Sequence, residues 1–101
     1  MVRKLIEDMV AEGKNAQETS ALVIMNSFDC EKDDIEEFMT KRRIVTEVFE
    51  LDRLRSEDRN DYLICFNDMY QVKHLPLIFL KDKLIGDFGQ LKKHFNVDNI
   101  L

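Results

Sequence analysis

Proline, glycine and cysteine are scarce in this 101-residue chain, which has one proline, three glycines and two cysteines and lacks tryptophan. Because few residues interrupt regular structure, we expect an ordered chain with short connections. The two cysteines, Cys30 and Cys65, cannot build a disulfide framework, and they are predicted to be reduced thiols of a cytoplasmic protein. The length predicts that residues 1–101 form a single domain.

Sequence signals for export, for a membrane span and for several kinds of ligand are also missing. Acidic residues interrupt the apolar pattern of residues 1–13, so this segment does not resemble a signal peptide, and no run approaches the roughly 18 apolar residues of a membrane span. There is no phosphate-binding glycine loop, no Gly-x-Ser-x-Gly turn and no cysteine or histidine pair at metal-ligand spacing. The net charge of −5 disfavours nucleic acid and anionic membranes, and the longest basic run, residues 41–43, is short. We expect a monomer without a metal site.

Hydrophobic spacing predicts the order helix, strand, helix, strand, helix, strand, strand, helix. The first helix carries an apolar stripe at Val2, Leu5, Ile6, Met9 and Val10. Strands are predicted at 21–25, 44–51, 77–80 and 84–86, and further helices at 31–43, 56–70 and 88–95, with Asp87 as the candidate cap of the last helix. The third helix is predicted to bury Leu63, Phe66 and Tyr70, with Cys65 as a small core residue. A strand-helix-strand unit makes a parallel pair, so the chain is predicted to be an α/β protein with a four-stranded mixed sheet and helices on both faces.

The segment around the single proline carries the most informative motif. Residues 74–79 read HLPLIF and residues 83–86 read KLIG. They resemble the Thr-Val-Pro-x-Ile-Phe strand and the Ile-Gly-Gly element of the glutaredoxin family, and residues 48–52 (VFELD) resemble the end of that family's second strand. With the order of elements, this resemblance covers nearly the whole chain. It implies a thioredoxin-like fold of the glutaredoxin type, with a cis-proline before the third strand.

The resemblance also implies a ligand cleft at Pro76. In the family this proline is cis and leaves backbone N–H and C=O groups for glutathione or an extended peptide; a trans proline that opens an edge strand is the alternative. The cleft would lie between residues 27–32, 74–77 and 86–89. His74 either lines it or lies in an exposed loop, and Phe28 is either an exposed aromatic at its mouth or part of the core.

The family's active-site motif is altered in this chain. In the family, Cys-Pro-Tyr-Cys or Cys-x-x-Ser opens the second helix, where the helix N-terminus stabilises a thiolate. Aligned without gaps, the nucleophile position falls on Asp29, Cys30 follows it, and the second cysteine position falls on Lys32. Asn26 stands where the family has a lysine that helps to hold glutathione. The family's Gly-Gly-x-Asp element corresponds to GDFG at 86–89, so an aspartate that binds the ligand in the family is lost. A one-residue gap would restore Cys30 to the nucleophile position.

The charge around Cys30 opposes its use as a nucleophile. Against the single Lys32, the neighbouring acids are Asp29, Glu31, Asp33, Asp34, Glu36 and Glu37. A helix dipole and a carboxylate about 5 Å away act with similar strength, each worth up to about 1 kcal/mol near the surface. Because several carboxylates outweigh the dipole, Cys30 is predicted to be a poor nucleophile at neutral pH. The acidic run itself is either a solvated helix start or a surface for a basic partner.

Two functions remain open from the sequence. One is a redox-degenerate module that binds a peptide, a protein or a thiol ligand; the other is a monothiol, glutathione-dependent thiol–disulfide oxidoreductase with Cys30 as nucleophile. Iron–sulfur assembly would need the same thiolate and ligand site. No cofactor is required, and glutathione is the candidate small ligand. The predicted ligand-binding residues are Asn26, Ser27, Phe28, Asp29, His74, Leu75, Pro76, Gly86 and Asp87.

Overall fold

The helices and strands follow one another in the predicted order in the computed structural model, which describes residues 2–15, 20–72 and 74–95. The elements are α1 (Val2–Asn15), β1 (Ser20–Met25), α2 (Lys32–Lys41), β2 (Val45–Glu50), a 3₁₀ turn (Leu51–Arg53), α3 (Ser56–Tyr70), β3 (Leu77–Leu80), β4 (Lys83–Gly86) and α4 (Phe88–His94). Each predicted element is present, with its ends displaced by a few residues at most.

The four strands form one mixed sheet in the order β2-β1-β3-β4. β1 and β2 are parallel, as expected for strands joined by a helix, whereas β3 is antiparallel to both β1 and β4. The predicted α/β architecture is therefore confirmed. None of the helices in the described residues combines the length and hydropathy needed to cross a membrane.

The sheet separates two cores, and the central strand β1 contributes side chains to both. Ala21, Val23 and Met25 pack with α2 and α4 on one face of the sheet. Leu22 and Ile24 pack with α1 and α3 on the other face. Because successive side chains of a strand alternate between faces, a fully apolar β1 supplies both cores, and helices cover both faces as predicted.

One residue of the apolar stripe of α1 and one residue of α3 that was predicted to be buried are exposed. Leu5 of α1 and Leu63 of α3 have 47% and 37% of their surface accessible, whereas Ile6 and Phe66 are buried. In α3 the packed side centres on Phe66, and Leu63 lies about 60° away from it around the helix, at the edge of the contact. The apolar pattern of α3 is therefore wider than the face that the core uses.

Candidate functional site

The predicted site residues lie at one end of the sheet. Ile24 pairs with Leu77, so the loop after β1 and the loop before β3 emerge side by side. Gly86, the last residue of β4, pairs with Ile78, so β4 finishes at the same end of the sheet. The Leu75–Pro76 peptide bond is cis.

The loop after β1 is anchored to the 3₁₀ turn that follows β2. The backbone N–H of Ser27 donates to Asp52 Oδ1 at 2.8 Å, and its hydroxyl donates to Asp52 Oδ2 at 2.5 Å. These hydrogen bonds lower the pKa of the Asp52 carboxyl below its ordinary value of 3.8. Within the loop, Asp29 N–H donates to Asn26 O at 3.1 Å, which closes a turn. Three hydrogen bonds therefore hold the first half of the loop.

We expect Asp52→Asn to lower the free energy of unfolding at pH 7, with a difference from the native protein that depends on pH. Because the pKa of Asp52 is lowered on folding, its stabilising contribution is fully present above 3.8. That contribution disappears as the pH falls through the lower pKa of the folded state, so the two proteins should converge in acid. Urea unfolding at pH 7, 5, 3.5 and 2.5 measures this convergence. Asp82→Asn, in the exposed turn between β3 and β4, is the control; a difference for Asp52→Asn that stays constant with pH would contradict the expectation.

Just before α2, an aspartate carboxylate binds a backbone amide of the loop. Asp29 is half-buried, and its Oδ1 accepts a hydrogen bond from the backbone N–H of Glu31 at 2.9 Å. The next amide, that of Lys32, donates to the backbone oxygen of Asp29 at 3.1 Å. Cys30, which lies between Asp29 and Glu31 in the sequence, is exposed. The Asp29 side chain therefore binds the amide just before α2, and among the described residues no side chain caps α2 itself.

Lys32, the first residue of α2, forms an ion pair with a residue of the edge strand β2. Lys32 Nζ lies 3.0 Å from Glu50 Oε2, and Arg53 also donates to Glu50 through Nε. The hydrogen bond to Glu50 raises the pKa of Lys32, and the bonds from Lys32 and Arg53 lower the pKa of Glu50. The charge of Lys32 is thus committed to a partner 18 residues further along the chain.

A cleft of about 230 Å³ opens beside Pro76. It is lined by Gln71, Val72, His74, Pro76, Leu77, Gly86, Asp87 and Gln90. The structure thus brings together four of the predicted ligand-binding residues. Leu75 is half-buried and lines the adjoining groove on α3. Among the described residues, the lining includes neither Cys30 nor residues 26–29, and Phe28 is 76% exposed.

The far side of the cleft is closed by a capping box at the start of α4. Asp87 Oδ1 accepts from the Gln90 N–H, and Gln90 Oε1 accepts from the Asp87 N–H, each at 2.9 Å. Gly86 has a φ of +124°, and a Cβ placed there would lie 1.8 Å from Gln90 Oε1. The sequence interpretation included Asp87 as a cap but missed Gln90, although the spacing Asp-x-x-Gln is the sequence signature of such a box.

Comparison with known proteins identifies the fold. No family model and no curated protein matches the chain. Among solved structures, it is similar to the holo form of glutaredoxin C1 from Populus tremula × tremuloides, with 16% identity over 94% of this chain and 88% of that one and a TM-score of 0.75. The buckwheat glutaredoxin–glutathione complex gives 14% identity, 96% and 82% coverage and a TM-score of 0.77.

Wheat glutaredoxin gives 19% identity, coverage of 96% and 88%, and a TM-score of 0.74. At these identities the similarity concerns the backbone architecture and not the site chemistry. Within the part of the chain that the structure describes, no three potential metal ligands are grouped together. The chain has the glutaredoxin form of the thioredoxin fold.

Proposed function

We propose that this protein is a glutaredoxin-fold binding module with weak or no glutathione-dependent redox activity. Its ligand would be a protein, a peptide or a small thiol that contacts the Pro76 end of the sheet. The observation that carries the proposal is that the chain's own aspartates occupy the starts of both helices at this end. Asp29 accepts from the amide of Glu31, the residue just before α2, and Asp87 accepts from the Gln90 amide of α4.

This arrangement works against both thiolate formation and glutathione binding. A thiolate gains stability at a helix start from unpaired N–H groups and from the positive end of the dipole. Here the Asp29 carboxylate binds the Glu31 amide just before α2 and adds a negative charge next to Cys30. Glutathione carries two carboxylates at neutral pH, and the Asp87 carboxylate with its capping box lies where backbone donors would otherwise be available.

The alternative is a monothiol oxidoreductase, and the exposure of Cys30 favours it. In that reaction the Cys30 thiolate attacks the glutathione sulfur of a mixed disulfide and releases the substrate as its thiolate. A second glutathione thiolate then attacks the glutathione sulfur of the Cys30 adduct, which yields oxidised glutathione and regenerates the Cys30 thiolate. The cytoplasmic location and the monomeric state expected from the sequence remain predictions under either function.

Turnover of a glutathionylated peptide distinguishes the two functions. We expect the native protein and Cys30→Ser to release glutathione at rates within about twofold of each other, because the helix start gives the Cys30 thiolate little stabilisation. Oxidised glutathione is measured by a coupled glutathione reductase assay. Cys65→Ala is the matched control, since Cys65 packs against the core below α3. A native rate about tenfold or more above that of Cys30→Ser, retained in Cys65→Ala, would establish the oxidoreductase instead.

A further inference from the structure

The outward side of α3 exposes two large aliphatic side chains in the middle of the helix. Ile64 is 60% accessible and Leu63 is 37% accessible. Together with Val72 and Leu75 of the following loop they line a groove of about 310 Å³. The core beneath α3 is filled by Phe66, which is buried. Val72 and Leu75 also pack against that core, but within the part of the chain that the structure describes Leu63 and Ile64 do not, so these two form an exposed apolar patch of the kind that marks interaction sites.

Carboxylates lie beside Ile64 on the surface of α3, next to the residues that line the groove. Asp61 precedes Ile64 by three residues and Asp68 follows it by four, so all three lie on the same side of the helix, and both aspartates are exposed. Glu57 continues the acidic row one turn earlier. Helix α3 contains four acidic residues against one arginine, the half-buried Arg59. The patch therefore combines aliphatic surface with negative charge.

The groove adjoins the cleft beside Pro76, since Val72 and His74 line both of them. A segment lying along α3 in the groove would therefore end next to the predicted ligand cleft. This proximity connects the patch to the binding role and sets it apart from the exposed Val45 of β2, which lines a different pocket.

We propose that this groove binds a basic amphipathic segment of a partner protein. The aliphatic side chains of that segment cover Leu63 and Ile64, and its lysine or arginine side chains face Asp61 and Asp68. Burial of the aliphatic groups supplies affinity, and the carboxylates select the partner by charge. The inference rests on the binding function proposed above, for which it names the chemical class of the partner.

Charge also argues against a second copy of this chain as the occupant. In a two-fold symmetric dimer, each groove would face the same groove on the other copy. The carboxylates of Asp61 and Asp68 would then meet like charges across the interface, in a chain whose net charge is already −5. A partner of opposite charge avoids this repulsion.

Two synthetic peptides test the inference. Both carry the same leucines at amphipathic spacing, one with lysine and the other with glutamate at every charged position. In ¹H–¹⁵N correlation spectra of the full chain, we expect the lysine peptide to shift the amides of Leu63, Ile64, Val72 and His74, and the glutamate peptide to leave them unchanged. The titration is repeated in Cys30→Ser, so that thiol chemistry does not contribute.

Three variants give the expected affinities. Ile64→Ser should weaken binding of the lysine peptide about tenfold, because the apolar contact is lost at an exposed position that folding does not need. Asp61→Lys combined with Asp68→Lys should weaken it by about as much or more, through repulsion. The control is Val45→Ser, a similarly exposed aliphatic at 56% on β2, which should change affinity less than about twofold.

Several outcomes would overturn the inference. These are equal binding of both peptides, shifts spread over the whole acidic surface and insensitive to Ile64→Ser, or groove shifts that depend on protein concentration without peptide, which would show a second copy in the groove. If the native protein turns over a glutathionylated peptide but still binds the lysine peptide in the groove, the proposed inactivity fails and this inference stands. If it is inactive and the groove amides do not shift, only this inference fails.

Discussion

Gly86→Ala should destabilise the fold by about 3 kcal/mol, the largest effect we expect from removing or adding a single methyl group in this chain. At a φ of +124° an alanine is strained whatever space surrounds it. The new Cβ would also lie 1.8 Å from Gln90 Oε1, so the Gln90 side chain must leave. The hydrogen bond from the Asp87 N–H to Gln90 Oε1 is then lost, which costs about 1 kcal/mol of the total. Urea unfolding at pH 7 measures the difference.

Gly89→Ala is the matched control and should act in the opposite direction. A Cβ at Gly89 would meet Asp87 Oδ1 at 3.5 Å, which is an ordinary contact. Because Gly89 lies within α4, alanine should stabilise the protein by about 0.5 kcal/mol through helix propensity. Combining Gly86→Ala with Gln90→Ala removes the clash but keeps the backbone strain. An effect of Gly86→Ala below about 0.5 kcal/mol would contradict the geometry of this turn.

The triple variant Asp29→Cys, Cys30→Ser and Cys65→Ala has a single thiol, at position 29. We expect this thiol to react with iodoacetamide about tenfold faster at pH 7 than Cys30, the single thiol of the Cys65→Ala variant. The reason is position: the Asp29 side chain reaches the Glu31 N–H at 2.9 Å, whereas Cys30 is exposed. A thiolate at position 29 gains the amide and the helix dipole and loses an adjacent carboxylate. About 1.4 kcal/mol from these terms corresponds to the tenfold increase.

The Asp29→Ala substitution, made in the Cys65→Ala variant, separates the effect of the thiol's position from the effect of the adjacent charge. This variant removes the carboxylate but leaves Cys30 where it is, so we expect its alkylation to accelerate only about twofold. If it accelerates as much as the thiol at position 29 does, then charge alone explains the poor reactivity. If the thiol at position 29 reacts no faster than Cys30, the start of α2 does not stabilise a thiolate in this chain.

The parts of the fold that could be predicted from the sequence are those that depend on local pattern. The unbroken apolar run of β1 indicated a strand covered on both faces, and burial of residues 21–25 confirms it. Asp87 in front of a short apolar helix indicated a cap, and it accepts the Gln90 amide. The order of elements followed from such local signals, and the topology followed from the preference for parallel strand-helix-strand units.

The features that could not be predicted depend on contacts between distant residues. Ser27 donates to a carboxylate 25 residues away, and Lys32 pairs with Glu50 across α2 and β2. No spacing rule relates such positions, since only the finished packing brings them together. Leu63 is a different case: its periodicity fits a buried face, but α3 packs over a narrower arc than its apolar residues span.

Since the side chains of β1 alternate between two cores, insertions and deletions at this end of the sheet are constrained. Losing one residue within β1 would exchange the two apolar sets between faces, and losing one at the start of α2 would rotate the helix by about 100° and turn Ile35 and Met39 out of their core. The loop between them cannot shorten freely, because Asp52 holds Ser27. Evolutionary variation at this site should therefore take the form of exchanged side chains at a fixed chain length, and a homologue that restores a thiol next to α2 should carry it in place of Asp29.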